Sequence, residues 1–249
     1  MEKDDNILRK IREILGDSTD NFSILEHQID VRVQMEYFEF SRNHPSNEDP
    51  EKVIEQADNL YSQEIELDDK KSLLVNLASI EKPEAYRIIQ RYVPQAPENL
   101  KEWASMALQE SRMLLESRLL DEQQVFISTG LGGREGKLRY FVAIFSSSDF
   151  EFNQTQKDLI NSEFRFTLRR FKSDVEEIVF KRNHASIVAL VPLNVPVKDP
   201  FEASISECNS LGEFIQKGFI ITNVKKLSSD EVEDILKNPP SDFIQVDRE

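Results

Sequence analysis

Four of the chain's seven glycines fall within one heptapeptide, Gly130-Leu131-Gly132-Gly133-Arg134-Glu135-Gly136, and Lys137 follows directly. Only Gly16 precedes them. Glycine takes positive φ without steric cost and lets another backbone approach closely, so the cluster marks either a demanding turn or a ligand-facing loop. It also divides the chain by pattern. Before it, apolar residues recur at helical spacing between polar, proline-marked breaks; around and after it, short apolar runs alternate with helical stretches. This order predicts an α+β protein, with an all-helical domain over 1–121 and a five-stranded, mainly antiparallel α+β sheet domain over 122–249.

In the first half, Ser23-Ile24-Leu25-Glu26 has the form of a capping box and predicts a helix from Ser23 to Arg42. Ile29, Val31, Val33, Met35 and Tyr37 alternate at period two, a strand pattern, so residues 24–41 read as helix or strand. Asn43-His44-Pro45-Ser46-Asn47 breaks the element, and Asp49-Pro50-Glu51 restarts a helix with a cap and a proline at its first position. Helical hairpins follow over 50–80 and 83–118. In the second, Tyr86, Ile89 and Tyr92-Val93 form one stripe; Ala104, Ala107-Leu108, Ser111 and Leu115 form another, with small residues that permit close packing. The openings Pro50-Glu51 and Pro83-Glu84 lie 33 residues apart. Over residues 50–118 this spacing of paired helices resembles HEAT-like repeats, which implies stacked helix pairs presenting a surface. A plain helical bundle is the other reading.

In the second half, Gln124–Thr129 and Leu138–Phe145 flank the glycine cluster and predict a hairpin. Asn153–Lys172 is helical, with Ile160, Phe164, Leu168 and Phe171 on one face. Val175–Lys181 and Ala185–Val191 form a second hairpin around Arg182-Asn183-His184. Asp199-Pro200-Phe201-Glu202 opens a helix that Gly212 closes, Phe219–Val224 is a fifth strand, and Ser228-Ser229-Asp230-Glu231 caps a last helix to Lys237. Without its first strand, this order resembles the ferredoxin-like split unit. The two runs apolar on both faces, 138–145 and 185–191, match its central strands. The hairpin partner at 124–129 conflicts with it by claiming an edge that belongs to the last strand. Apolar residues on both faces imply helices over one side of the sheet and the helical domain or a second subunit over the other.

Charge and composition narrow the function. Residues 1–123 carry 27 acidic and 15 basic side chains, a net of −12, against 19 and 16, a net of −3, in residues 124–249. Such a surface repels phosphate backbones and acidic membranes, so neither nucleic acid nor membrane is an expected partner. The start of the chain has no apolar signal region, and a single cysteine excludes an intramolecular disulfide framework; both suit a cytoplasmic location.

The glycine cluster does not match known phosphate loops. A Walker A loop needs glycine at position 131 and Ser or Thr at 138, where the chain has Leu at both. A dinucleotide fingerprint from Gly130 needs glycine at 135, which is Glu, and a following helix. Val142-Ala143-Ile144 approaches the kinase pattern, but Phe145 stands at the lysine position. His27, His44 and His184 are scattered, so the expectation is no catalytic set, no metal site and no cofactor. The candidate binding set is Gly130, Gly132, Gly133, Arg134, Gly136 and Lys137, whose amides and cations suit a small anion. Arg165 and Arg169 join it, forming with Lys172 a basic stripe at helical spacing opposite Ile160. The leading expectation is a non-enzymatic interaction or scaffold protein with a protein partner or a homodimer. The alternative is an anion or nucleotide binder, or an enzyme on such a ligand, using Gly130–Lys137.

Overall fold

The computed structural model describes residues 22–44, 48–120, 125–148, 151–182 and 184–237. The protein is α+β: the described residues hold eight α-helices, mostly N-terminal, and the C-terminal half carries a five-stranded sheet whose pairings are antiparallel. The chain divides into two compact units, whose described residues run from Phe22 to Ser128 and from Thr129 to Lys237.

The helical unit comprises β1 (Phe22–Ile24), α1 (Val31–Asn43), α2 (Pro50–Glu55), α3 (Leu67–Ala78), α4 (Pro83–Tyr92), α5 (Glu98–Leu120) and β2 (Val125–Ile127). Short 3-10 turns at Gln56–Leu60 and Val93–Gln95 extend α2 and α4. Helix α5 packs against α1, α3 and α4, and Leu74, Leu77, Ile89, Leu100 and Ala104 are buried in their shared core. Residues 24–41 are mostly helix, but the expected start is wrong. The cap is Asp30, whose side chain accepts from Arg32 N, and Ser23-Ile24-Leu25-Glu26 is no capping box. Instead Ser23 sits in a strand and its buried Oγ accepts from Gln109 Nε2 at 2.7 Å. A second polar contact joins α1 to α5: the Tyr37 hydroxyl donates to Glu110 Oε2 at 2.5 Å, and Ser41 donates to Oε1 at 3.3 Å. Burial raises the Glu110 carboxyl above its usual range despite these two donors.

Strand β2 overturns the expected hairpin. It pairs in parallel with β1, Phe22 opposite Val125 and Ile24 opposite Ile127, so the whole helical array is the crossover between the two strands. Phe126 packs edge-on to Phe38 at 5.8 Å, which holds β2 to the helical core.

The sheet unit comprises β3 (Gly133–Arg134), β4 (Lys137–Ser146), α6 (Gln154–Arg170), β5 (Asp174–Phe180), β6 (His184–Pro192), α7 (Asp199–Ser210), β7 (Ile215–Thr222) and α8 (Ser229–Lys237). Asn153 caps α6 in a reciprocal box with Gln156. Asp199 is the first helical residue of α7, and Lys198 occupies its cap position. The main strand order is β7–β4–β6–β5. The edge conflict dissolves because β2 lies outside this sheet, and β3 and β7 share one edge of β4 end to end: β3 takes Lys137 and Leu138, and β7 takes Phe141 to Ser146. Val142, Ile144, Ile187 and Ala189 face α6 and α7, meeting Ile160, Phe164, Leu168, Phe201, Ile205 and Cys208. On the opposite face Phe141, Ala143, Val188 and Ile220 meet Val232 of α8 and Leu131 of the glycine loop. The unit's own last helix and loop therefore pack on the face for which the helical domain or a second subunit is predicted above.

Candidate functional site

Reversal of the chain at the glycine cluster uses only two residues. Arg134 pairs with Lys137, and the intervening Glu135 and Gly136 have φ of 53° and 72°, the two positive values of a type I′ hairpin turn. The preceding glycines serve packing. A Cβ on Gly130 would stand 1.7 Å from the Val224 carbonyl oxygen, so two backbones meet there with no room for a side chain. Gly132, at φ 65°, turns the chain while its N–H donates to Thr129 O at 3.1 Å. Between them Leu131 is fully buried, and its N–H donates to Asn223 O at 2.9 Å. Residues Gly130–Gly133 are thus buried in the fold rather than spread toward solvent.

The cations of the loop are already engaged. Arg134 lies 3.2 Å from Glu176, and Lys137 pairs with Asp174. The centre of the group is Arg139, unremarked in the sequence. It grips Glu176 with two bonds, Nε to Oε2 at 2.5 Å and Nη2 to Oε1 at 3.1 Å, and donates Nη1 to Leu131 O at 2.7 Å. Lys226 joins from beyond β7, 2.8 Å from Glu177. A β-bulge in β5 supplies the acids: Val175 stands opposite Ala189 and Glu177 opposite Val188, leaving Glu176 as the extra residue. The Arg139 hydrogen bonds hold the Glu176 carboxyl below its ordinary range against the opposing effect of burial. An anion at this loop must therefore displace carboxylates that fit their cations closely.

Arg165 and Arg169 lie elsewhere, since α6 packs on the first sheet face and Leu131 on the second. Arg165 donates Nη1 to Val175 O at 3.0 Å, which occupies a carbonyl of strand β5. Arg170 reaches Glu207 at 3.6 Å. Arg169 and Lys172 are exposed and form no ion pair among the described residues. In their midst Phe166 is 62% exposed, although its helix has a complete inner stripe of Ile160, Phe164 and Leu168. The sequence missed this ring because the apolar stripe was already accounted for.

No group of three or more His, Cys, Asp or Glu placed to hold a metal occurs among the described residues, and no helix among them is long and apolar enough to cross a membrane. No protein-family model matches the chain, and no curated protein matches it in sequence.

Proposed function

We propose that this is a non-enzymatic interaction protein that binds a partner through the outer face of α6. The observation that carries the reading is Phe166, an exposed aromatic ring flanked by Arg165, Arg169 and Arg170, with the exposed Lys172 just past the helix end. Aromatic and arginine side chains are the types most enriched at binding hot spots, where the ring supplies area and the guanidinium directional donors. Pairing of Arg134 and Lys137 with β5 carboxylates supports leaving the glycine loop as an internal clasp. In this reading the sheet unit is a ferredoxin-like split unit with the clasp added, and the helical unit is a bundle gathered about α5.

The test compares partners captured from lysate by the wild-type protein and by a Phe166→Ala/Arg169→Glu variant, quantified by mass spectrometry. The reading expects a set of proteins retained by the wild type and lost by the variant, with melting of the two proteins unchanged. Equal capture by both overturns it.

A further inference from the structure

We infer that the α6 face docks an acidic segment of a partner protein, with carboxylates arranged around one apolar side chain; this rests on the interaction reading above. Arg165 and Arg169 are four residues apart and so lie on one side of the helix, about 6 Å apart at about 1.5 Å per residue, and the exposed Lys172 follows two residues beyond the last helical residue, Arg170, at a φ of 55°. The helical residues one turn before Arg169 are Arg165 and Phe166, and residues 170–173 that follow it include no acid. The α6 carboxylates Asp158 and Glu163 are thus more than one turn from Arg169, and Glu207 of α7 pairs with Arg170.

Two terms decide what answers these cations. The chain carries a net charge of −15, which repels any polyanion at long range. At physiological salt that field is screened beyond about 8 Å, so an anion docked on α6 senses the local cations instead. A phosphate backbone draws its affinity from many such contacts along a track, and single strands stack on successive rings. Here the stripe is short and carries one ring, Phe166. An acidic peptide fits better: a few carboxylates meet the cations and one apolar residue covers the ring, giving both steering and an anchor.

Fluorescence anisotropy with a short labelled peptide of alternating Glu and Ser around one central Leu tests this. Saturable binding is expected that weakens as salt is raised. Arg169→Glu/Lys172→Glu should reduce affinity by about tenfold, and Phe166→Ala or replacement of the peptide Leu by Ser by about fivefold. Circular dichroism melts confirm that the variants remain folded. Binding unaffected by these variants, or tighter binding of oligothymidylate than of the peptide, overturns the acidic partner. So does the absence of peptide binding at about 1 mM protein. If the α6-dependent capture described above persists in that case, the surface stands and its occupant has a different chemistry; if capture is also unaffected by the variants, the surface itself is wrong.

Discussion

Gly130→Ala tests the clasp directly. The added methyl carbon would lie 1.7 Å from Val224 O, and ordinary contacts begin near 3.4 Å, so the two backbones must part. The partner atom is main chain and has no rotamer to yield. Separation breaks the Leu131 N–H bond to Asn223 O and draws Leu131 out of its packing with Phe141, Val188 and Ile220. Losing the bond costs about 1 kcal/mol, and partly exposing a buried leucine about 1–3 kcal/mol, for a total of about 2–4 kcal/mol. At about 4 °C per kcal/mol for a unit of this size, the sheet unit should melt about 8–16 °C lower. Hydrogen exchange read by mass spectrometry localises the effect: amides of β4 and β7 should exchange faster, while α3 and α5 keep wild-type rates. Gly212→Ala is the control, because its φ of 150° imposes strain while the nearest atom to its Cβ, Phe214 Cδ1, is 3.9 Å away. A Gly130→Ala protein within about 0.5 kcal/mol of wild type refutes the clasp, since surface substitutions change stability no more than that.

Further outcomes follow from the same geometry. Glu135→Asn places Asn-Gly at the two positive-φ positions and should stabilise the protein by about 0.5–1 kcal/mol in thermal melts; destabilisation would contradict the type I′ assignment. Glu176→Ala leaves Arg139, only 17% exposed, without its carboxylate and should cost about 1–2 kcal/mol at neutral pH. Because the folded Glu176 value is depressed, this contribution is present above the ordinary carboxyl range and lost as pH falls through the folded value, so wild type and variant should converge in acid. Glu110 behaves oppositely: its folded value is raised, so wild type should lose stability relative to Glu110→Gln as pH rises from the ordinary carboxyl range through the folded value. A flat difference between those two melts across acid pH would remove the raised carboxyl. Cys208, on the buried face of α7 with its thiol pushed up to about 12, should react with a thiol reagent only after denaturation, as the sequence pattern of Phe201, Ile205 and Cys208 predicts.

Elements with several turns or paired strands were legible because their periodicity is long. The inner stripe Ile160, Phe164, Leu168 sets α6, and runs apolar on both faces mark β4 and β6 as central. The ambiguity over residues 24–41 has a geometric origin. A period-two series contains residues four apart, which also share a helix face: Val33 and Tyr37 pack inward while Val31 and Met35 point out. Strand β2 was misplaced because three residues carry no register, and its partner β1 lies a hundred positions away in the chain. At the glycine loop, Arg134 and Lys137 were found as charges, but their neutralisation was not. It depends on a bulge at Glu176, and a run such as Asp174-Val175-Glu176-Glu177 has nothing in its composition that fixes where the extra residue falls.

That bulge separates the two basic groups. In β5 it turns Glu176 toward Arg139 and Arg134, so cations of the loop and sheet are balanced within the fold. On helix α6 only Arg170 meets a carboxylate, Glu207, among the ion pairs of the described residues, while Arg165 donates to a carbonyl. The helix dipole favours Arg169 and Arg170 in the last turn by about 0.3–1 kcal/mol each, which gives a local reason for cations there. Against it stands the like-charge pair Arg165 and Arg169, four residues apart and unfavourable by about 0.2–0.5 kcal/mol. These terms are comparable, so intrahelical electrostatics alone does not decide the composition of the face. Phe166 does. No dipole favours an aromatic ring, and leaving it in water forfeits its burial, about 1.5–3 kcal/mol when complete. That exceeds either charge term, and it is recovered only when an apolar group from outside the helix covers the ring.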